Sequence, residues 1–254
     1  MRGQRRDTMF GVRFDPLGEA DLATRVCAGL AAGAGGWATI PDLAVMTRAM
    51  NTPVVGAGLS GADLVIASGA TMALASRLAG VPLPAADAPA MIWALCSALR
   101  TADRSLYLLG GEPELPGRQE GAHRAAAVVS FACPGIVVAG HASPTLDTPT
   151  EAEEFAGICA EIVEARPDVV LIGLDAARQG WLVARLRPVL PGTWFVGWTQ
   201  AISMITGVDR ARDRRLPAAS QAAARTARLL ARAAVHRLRG SGLDPARVDP
   251  AVLG

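Results

Sequence analysis

Six apolar runs of four or five residues alternate with longer stretches of helical spacing, and this alternation restricts the fold more than any other feature. The runs are Trp37 to Ile40, Leu64 to Ala67, Ser105 to Leu109, Ile136 to Ala139, Val169 to Ile172 and Trp194 to Gly197. Helical spacing fills the gaps, as in Leu22 to Leu30, Ala90 to Leu99, Ala122 to Phe131, Glu151 to Ala165 and Gln179 to Val189. Strand-helix alternation builds βαβ units, and strands that are apolar throughout are those buried on both faces. The expected fold is therefore α/β: a largely parallel, Rossmann-like sheet with helices on both faces, followed by an arginine-rich helical C-terminal appendage. The expected division is a basic N-terminal arm (1–9), an α/β core (10–207) and the appendage (208–254).

Composition agrees with a folded core. The chain has 254 residues, 51% of them apolar and 19% charged, whereas a disordered chain is poorer in apolar residues. No 18-residue stretch is free of polar and charged groups, so a spanning helix is not expected. The N-terminus is basic without the apolar run of a secretory signal, which predicts a cytoplasmic protein. Cys27, Cys96, Cys133 and Cys159 are widely spaced among small aliphatic residues and read as buried thiols. The three histidines have no ligand spacing, so a structural zinc site is not expected; no other metal and no cofactor is expected either.

All 25 basic residues are arginine. Nine of them fall between Arg210 and Arg239 against one acid, Asp213, a net +8; with +2 overall, the remainder carries −6. On a helix, Arg225, Arg228, Arg232, His236 and Arg239 share an arc of about 80°, with Ala223, Ala227, Leu230, Ala234 and Leu238 opposite. Such a stripe suits an anionic surface, lipid headgroups or a lipid-linked diphosphate; a solvated face on a docked helix gives the same pattern. No aromatics interleave with the arginines, so nucleic acid is not the expected partner.

Ligands of open parallel sheets bind beyond the carboxyl ends of the strands. There the chain reads Gly110-Gly111-Glu112, then Gly173-Leu-Asp-Ala-Ala-Arg178-Gln179, then Gly197-Trp-Thr-Gln200. Glycine at three strand ends lets backbone amides approach a phosphate, although each glycine is also what a tight turn needs. Without lysine there is no P-loop, and neither a Gly-x-Ser-x-Gly elbow nor an Asp-x-Asp pair occurs.

Three blocks carry a resemblance. Gly61-Ala-Asp-Leu-Val-Ile-Ala-Ser-Gly69, Leu108-Leu-Gly-Gly-Glu-Pro113 and Pro167-Asp-Val-Val-Leu-Ile-Gly-Leu-Asp-Ala-Ala-Arg-Gln179 resemble blocks of the WecG/TagA/CpsF glycosyltransferases. The likeness spans roughly residues 12 to 215. It implies transfer of an N-acetylmannosamine-type sugar from UDP to a polyprenyl-diphosphate-linked N-acetylglucosamine at the membrane surface, without a metal site. By position it places Gly110, Gly111, Arg178 and Gln179 at the UDP-sugar site; Thr39, Gly69, Glu112, Gly173 and Gly197 join them as candidate substrate-binding residues. Arg225, Arg228, Arg232 and Arg239 fall in the family's basic C-terminal extension.

The chain also departs from the family pattern. Ser68 stands where the family has its proposed base, an aspartate before glycine; Asp42 replaces an asparagine. An arginine-bearing block has become Ala86 to Met91, and Ala-Phe-Asp has become Ala201-Ile202-Ser203. A hydroxyl is a poor substitute for a carboxylate in taking a proton. Asp42 is the candidate replacement if its strand neighbours that of Ser68, with helix capping as the plainer role for an aspartate there. Two readings follow: an inverting transferase acting on a lipid-linked or hydrophobic acceptor, or an impaired homologue that binds nucleotide sugar or a partner without turnover.

Overall fold

Every one of the six apolar runs is a strand in the computed structural model, which describes residues 7–207 apart from 10, 85, 118 and 147–150. In chain order these strands are β3 (Gly36–Thr39), β4 (Leu64–Val65), β5 (Ser105–Gly110), β6 (Val137–Ala142), β7 (Val169–Gly173) and β8 (Trp194–Gly197). They form one sheet in the order β4-β3-β8-β7-β5-β6, all parallel. The strands numbered β1 (Asp7–Met9) and β2 (Val12–Phe14) form a separate antiparallel hairpin with the register Met9↔Val12.

The helices preceding β5 are α1 (Glu19–Ala31), α2 (Leu43–Asn51), α3 (Pro53–Ser60), α4 (Ala70–Leu78) and α5 (Ala88–Thr101). After it come α6 (Gly121–Ala132), α7 (Glu151–Ala165), α8 (Ala176–Leu186) and the short α9 (Ala201–Thr206). Alternate residues of a strand point to opposite faces, and the core divides accordingly. Ala38, Leu106, Leu108, Val169, Leu171 and Val196 face one side and pack with Leu22, Leu95, Val129 and Ile202. Trp37, Tyr107, Leu109, Val170, Ile172 and Phe195 face the other and pack with Leu59, Met72, Ile162, Leu182 and Leu186. Each such aliphatic side chain, fully buried, stabilises the fold by roughly 1.5–3 kcal/mol.

The hairpin caps one edge of the second layer. Met9, Val12 and Phe14 are buried there, and Asp15 accepts from the Val65 amide at 2.9 Å while its own amide donates to Val65 O. At the opposite edge β6 is only partly covered. The amino edge of the sheet is tied by Asp168, which accepts from Arg104, the Ser105 amide and the Ser105 hydroxyl at 2.8–3.0 Å. Polar anchoring at that edge leaves the carboxyl edge as the one where loops open. No helix among the described residues is long and apolar enough to cross a membrane. The arginine stripe from Arg225 to Arg239 lies outside the described residues.

Candidate functional site

The strands β5, β7 and β8 are contiguous in the sheet, so the three glycine-bearing turns lie side by side. A cleft of about 290 Å³ opens above them. Its lining is Gly111 and Glu112 after β5, Gly121 and Arg124 from the first turn of α6, Gly173 at the end of β7, Thr199 and Gln200 after β8, and Ile202, Ser203 and Thr206 of α9.

Glycine is required here by close packing. A Cβ on Gly110 would lie 2.6 Å from Gly173 O, and the backbone there has φ +112°. On Gly111, at φ +89°, it would strike Ile202 Cγ2 at 2.6 Å, and on Gly173 Ile202 Cγ1 at 2.6 Å. Ile202 thus seats α9 on both turns. Gly121 has no Cβ where one would meet the Glu112 amide at 2.7 Å, which brings the start of α6 against the β5 turn; its amide donates to Glu112 O at 2.7 Å.

A polar chain braces this turn from behind. Ser143 donates its hydroxyl to Gly110 O at 2.7 Å and accepts from the Ala122 amide at 2.8 Å. Glu120 accepts from the Ser143 amide and lies 2.6 Å from His141 Nδ1, whose ring neighbours His123 at 3.3 Å.

Of the residues expected at the nucleotide, Gly111, Glu112 and Gly173 line the cleft. Gly110 and Gly197 do not line it; Gly110 packs on Gly173 and Gly197 against the Gln179 side chain. Gln179 is buried and donates to Leu174 O at 2.6 Å and to Thr199 Oγ1 at 3.5 Å, clasping the β7 and β8 turns together. Arg178 turns onto Glu151 through Nε and Nη2 at 2.7 and 3.1 Å, and onto Asp175 through Nη1 at 2.5 Å. Asp175 caps α8, accepting from the amides of Ala177 and Arg178. Burial pushes its carboxyl up, but the hydrogen bonds and charge of Arg178, with the Ala177 amide, outweigh burial and hold it below the ordinary value of 3.8.

The second candidate region lies beside β3 and β4, which are neighbours (Thr39↔Val65). Thr39 and Ser68 are buried; Ser68 pairs with Ala86 in a short parallel bridge, and Gly69 caps α4 at φ +83°. Asp42 caps α2, accepting from the Val45 amide at 2.8 Å. These residues do not line the 290 Å³ cleft.

Strand-end reading overlooked Arg124, Gly121 and Thr206. The available signal was Gly121 and Arg124 three apart at a helix start, hence on one face. Among the described residues, no group of three or more His, Cys, Asp or Glu is arranged to hold a metal. All four cysteines are free; burial pushes the thiols of Cys27, Cys96 and Cys159 up, that of Cys96 to about 12, which disfavours the nucleophilic thiolate.

A parallel sheet with helices on both faces and a polar cleft at its carboxyl edge defines an α/β protein of the doubly wound, ligand-binding class. The family follows from the sequence: the model of the Glycosyl transferase WecG/TagA/CpsF family matches residues 8–224, and the chain belongs to that family. Its members are glycosyltransferases of cell-surface polysaccharide biosynthesis. Comparison with curated proteins gives no match.

Proposed function

We propose that this chain transfers an N-acetylmannosamine-type sugar from UDP to a lipid-linked or other hydrophobic acceptor, with inversion and without a bound metal. The observation that carries the reading is the convergence of three adjacent strand ends on one polar cleft. Its volume lies at the lower end of the roughly 300–1,000 Å³ span of ligand pockets, enough for part of a nucleotide sugar. In this reading the turns after β5 and β7 hold the diphosphate. Gln179 fixes the distance between the β7 and β8 turns, and Arg178 keeps the β7 turn in shape through Asp175 and Glu151. The acceptor hydroxyl is deprotonated in the corner between β3 and β4, with Asp42 as the carboxylate offered there. The arginine stripe, Arg225 to Arg239, contacts anionic headgroups at the membrane surface.

A thermal-shift series with UDP, UDP-sugars and other nucleoside diphosphates tests the donor, because a ligand of the native state raises the unfolding midpoint. The midpoint is expected to rise with UDP compounds; no response to any of them removes the reading. Flotation with anionic and neutral liposomes tests the stripe, and equal partitioning into both removes that part.

One observation favours a second reading. Ser68, a hydroxyl where the family has its proposed base, supports a homologue that binds nucleotide sugar without turning it over. Sugar transfer by the native chain excludes it, whereas transfer only after Ser68→Asp establishes it.

A further inference from the structure

The geometry points to Arg124 as the side chain that binds the donor's diphosphate, with Glu112 as the residue that positions it; this rests on the reading of the cleft as a nucleotide-sugar site. Among the residues lining the cleft, Arg124 is the one cation and Glu112 the one anion. The two are joined by a single hydrogen bond, Nη2 to Glu112 Oε2 at 3.1 Å, and each side chain is about a quarter exposed. A guanidinium has five N–H donors in a fixed fork. Arg124 donates through one nitrogen, and its buried Nε has no hydrogen-bond partner among the described residues. A buried donor without a partner is costly, and a native structure that keeps one calls for an explanation. Incoming phosphate oxygens supply acceptors for the exposed guanidinium N–H groups that Glu112 does not take, and the planar fork matches phosphate in a way a point charge does not.

Arg178 offers the contrast. Its Nε, Nη1 and Nη2 already hold two carboxylates, so binding a phosphate there requires breaking a network. Arg124 has one bond to a carboxylate where Arg178 has three. The absent Cβ of Gly121 lets the first turn of α6 approach the Glu112 amide, and the guanidinium and the β5 turn are therefore placed as one unit. Glu112 aims the guanidinium while leaving a like charge near the ligand, so the site binds a diphosphate firmly enough to orient it and weakly enough to release it.

The test compares UDP with uridine by calorimetric titration of the full chain. Arg124→Gln, which keeps a neutral donor toward Glu112, is expected to weaken UDP at least tenfold and leave uridine within about twofold. Arg100→Gln, which removes an exposed cation in the last turn of α5, outside the cleft lining, is expected to leave the ratio of UDP to uridine affinity unchanged. Glu112→Gln keeps an acceptor for Arg124 while removing its charge, and is expected to tighten UDP several-fold with uridine unchanged. The assignment is overturned if Arg124→Gln binds UDP like the native chain, or if Arg100→Gln weakens UDP as much as Arg124→Gln does. Should Arg124→Gln not fold, Glu112→Gln decides, and an unchanged UDP affinity there overturns the assignment. A native chain that binds neither UDP nor uridine overturns the reading of the cleft itself, a result distinct from either variant outcome.

Discussion

The turns after β5 and β7 are built from similar parts but behave differently. Each has an acid two residues beyond a strand-ending glycine, Glu112 after Gly110 and Asp175 after Gly173, and each has an arginine in the first turn of the next helix. After β7 the helix begins at once, so Asp175 becomes its cap and Arg178 folds back onto it. After β5 the helix begins only at Gly121, so Glu112 meets its start through the backbone carbonyl while the carboxylate pairs with Arg124 at the cleft wall. The spacing between acid and helix start decides which ion pair closes on itself and which lines the cleft.

Placing a methyl group in either turn probes the comparison most strongly. Gly111→Ala combines an unfavourable φ with the Ile202 contact and is expected to cost about 2–4 kcal/mol. Gly173→Ala, at an ordinary φ, meets Ile202 Cγ1 at 2.6 Å and, less tightly, Leu109 O at 3.3 Å, and is expected to cost about 1–3 kcal/mol. In an Ile202→Ala background the Gly173 penalty should shrink and the Gly111 penalty persist. Urea midpoints of the three single variants, the two double variants and the native chain check this; equal relief at both sites breaks the distinction.

Next in size is Gln179→Leu, which leaves the buried Leu174 carbonyl without its partner and is expected to cost about 1–3 kcal/mol by denaturant unfolding. Asp175→Ala removes a cap, with an expected loss of about 0.5–2 kcal/mol. Glu112→Ala loses only a partly exposed pair, about 0–1 kcal/mol. A larger loss at Glu112 than at Asp175 would reverse the roles given to the two acids.

The same pair differs with pH. The Asp175 carboxyl is held low in the folded state, so its contribution is complete above 3.8 and disappears as pH falls through the folded value. Stability of the native chain and Asp175→Ala should therefore converge below about pH 4. The smallest effect is expected from Asp42→Asn, since asparagine caps as well as aspartate: stability within about 0.5 kcal/mol of native. Loss of sugar transfer in that variant, with the midpoint unchanged, would mark Asp42 as the base.

The central sheet was legible because buried parallel strands are continuous apolar runs, and all six stand where those runs fall. The hairpin from Asp7 to Phe14 was not, because two three-residue strands give too little alternation to register, and their burial depends on β4, fifty residues away in the case of Asp15 and Val65. In the cleft, Gly111, Glu112 and Gly173 were legible from their place at strand ends. The direction of Arg178 was not, since it is set by Glu151, which is 27 residues distant and in another helix. Arg124, Ile202 and Thr206 reach the cleft through the packing of α6 and α9 on the sheet, an arrangement that local spacing does not encode.

The wedge formed by Ile202 gives α9 an unusual kind of leverage. One aliphatic side chain rests on two turns that belong to different strands, and the helix carrying it also supplies Ser203 and Thr206 to the opening. Trimming or enlarging that single side chain would reset the aperture over both turns together while the hydrogen-bonded sheet beneath stays as it is. The size of molecule the cleft admits could then be retuned from an apolar position.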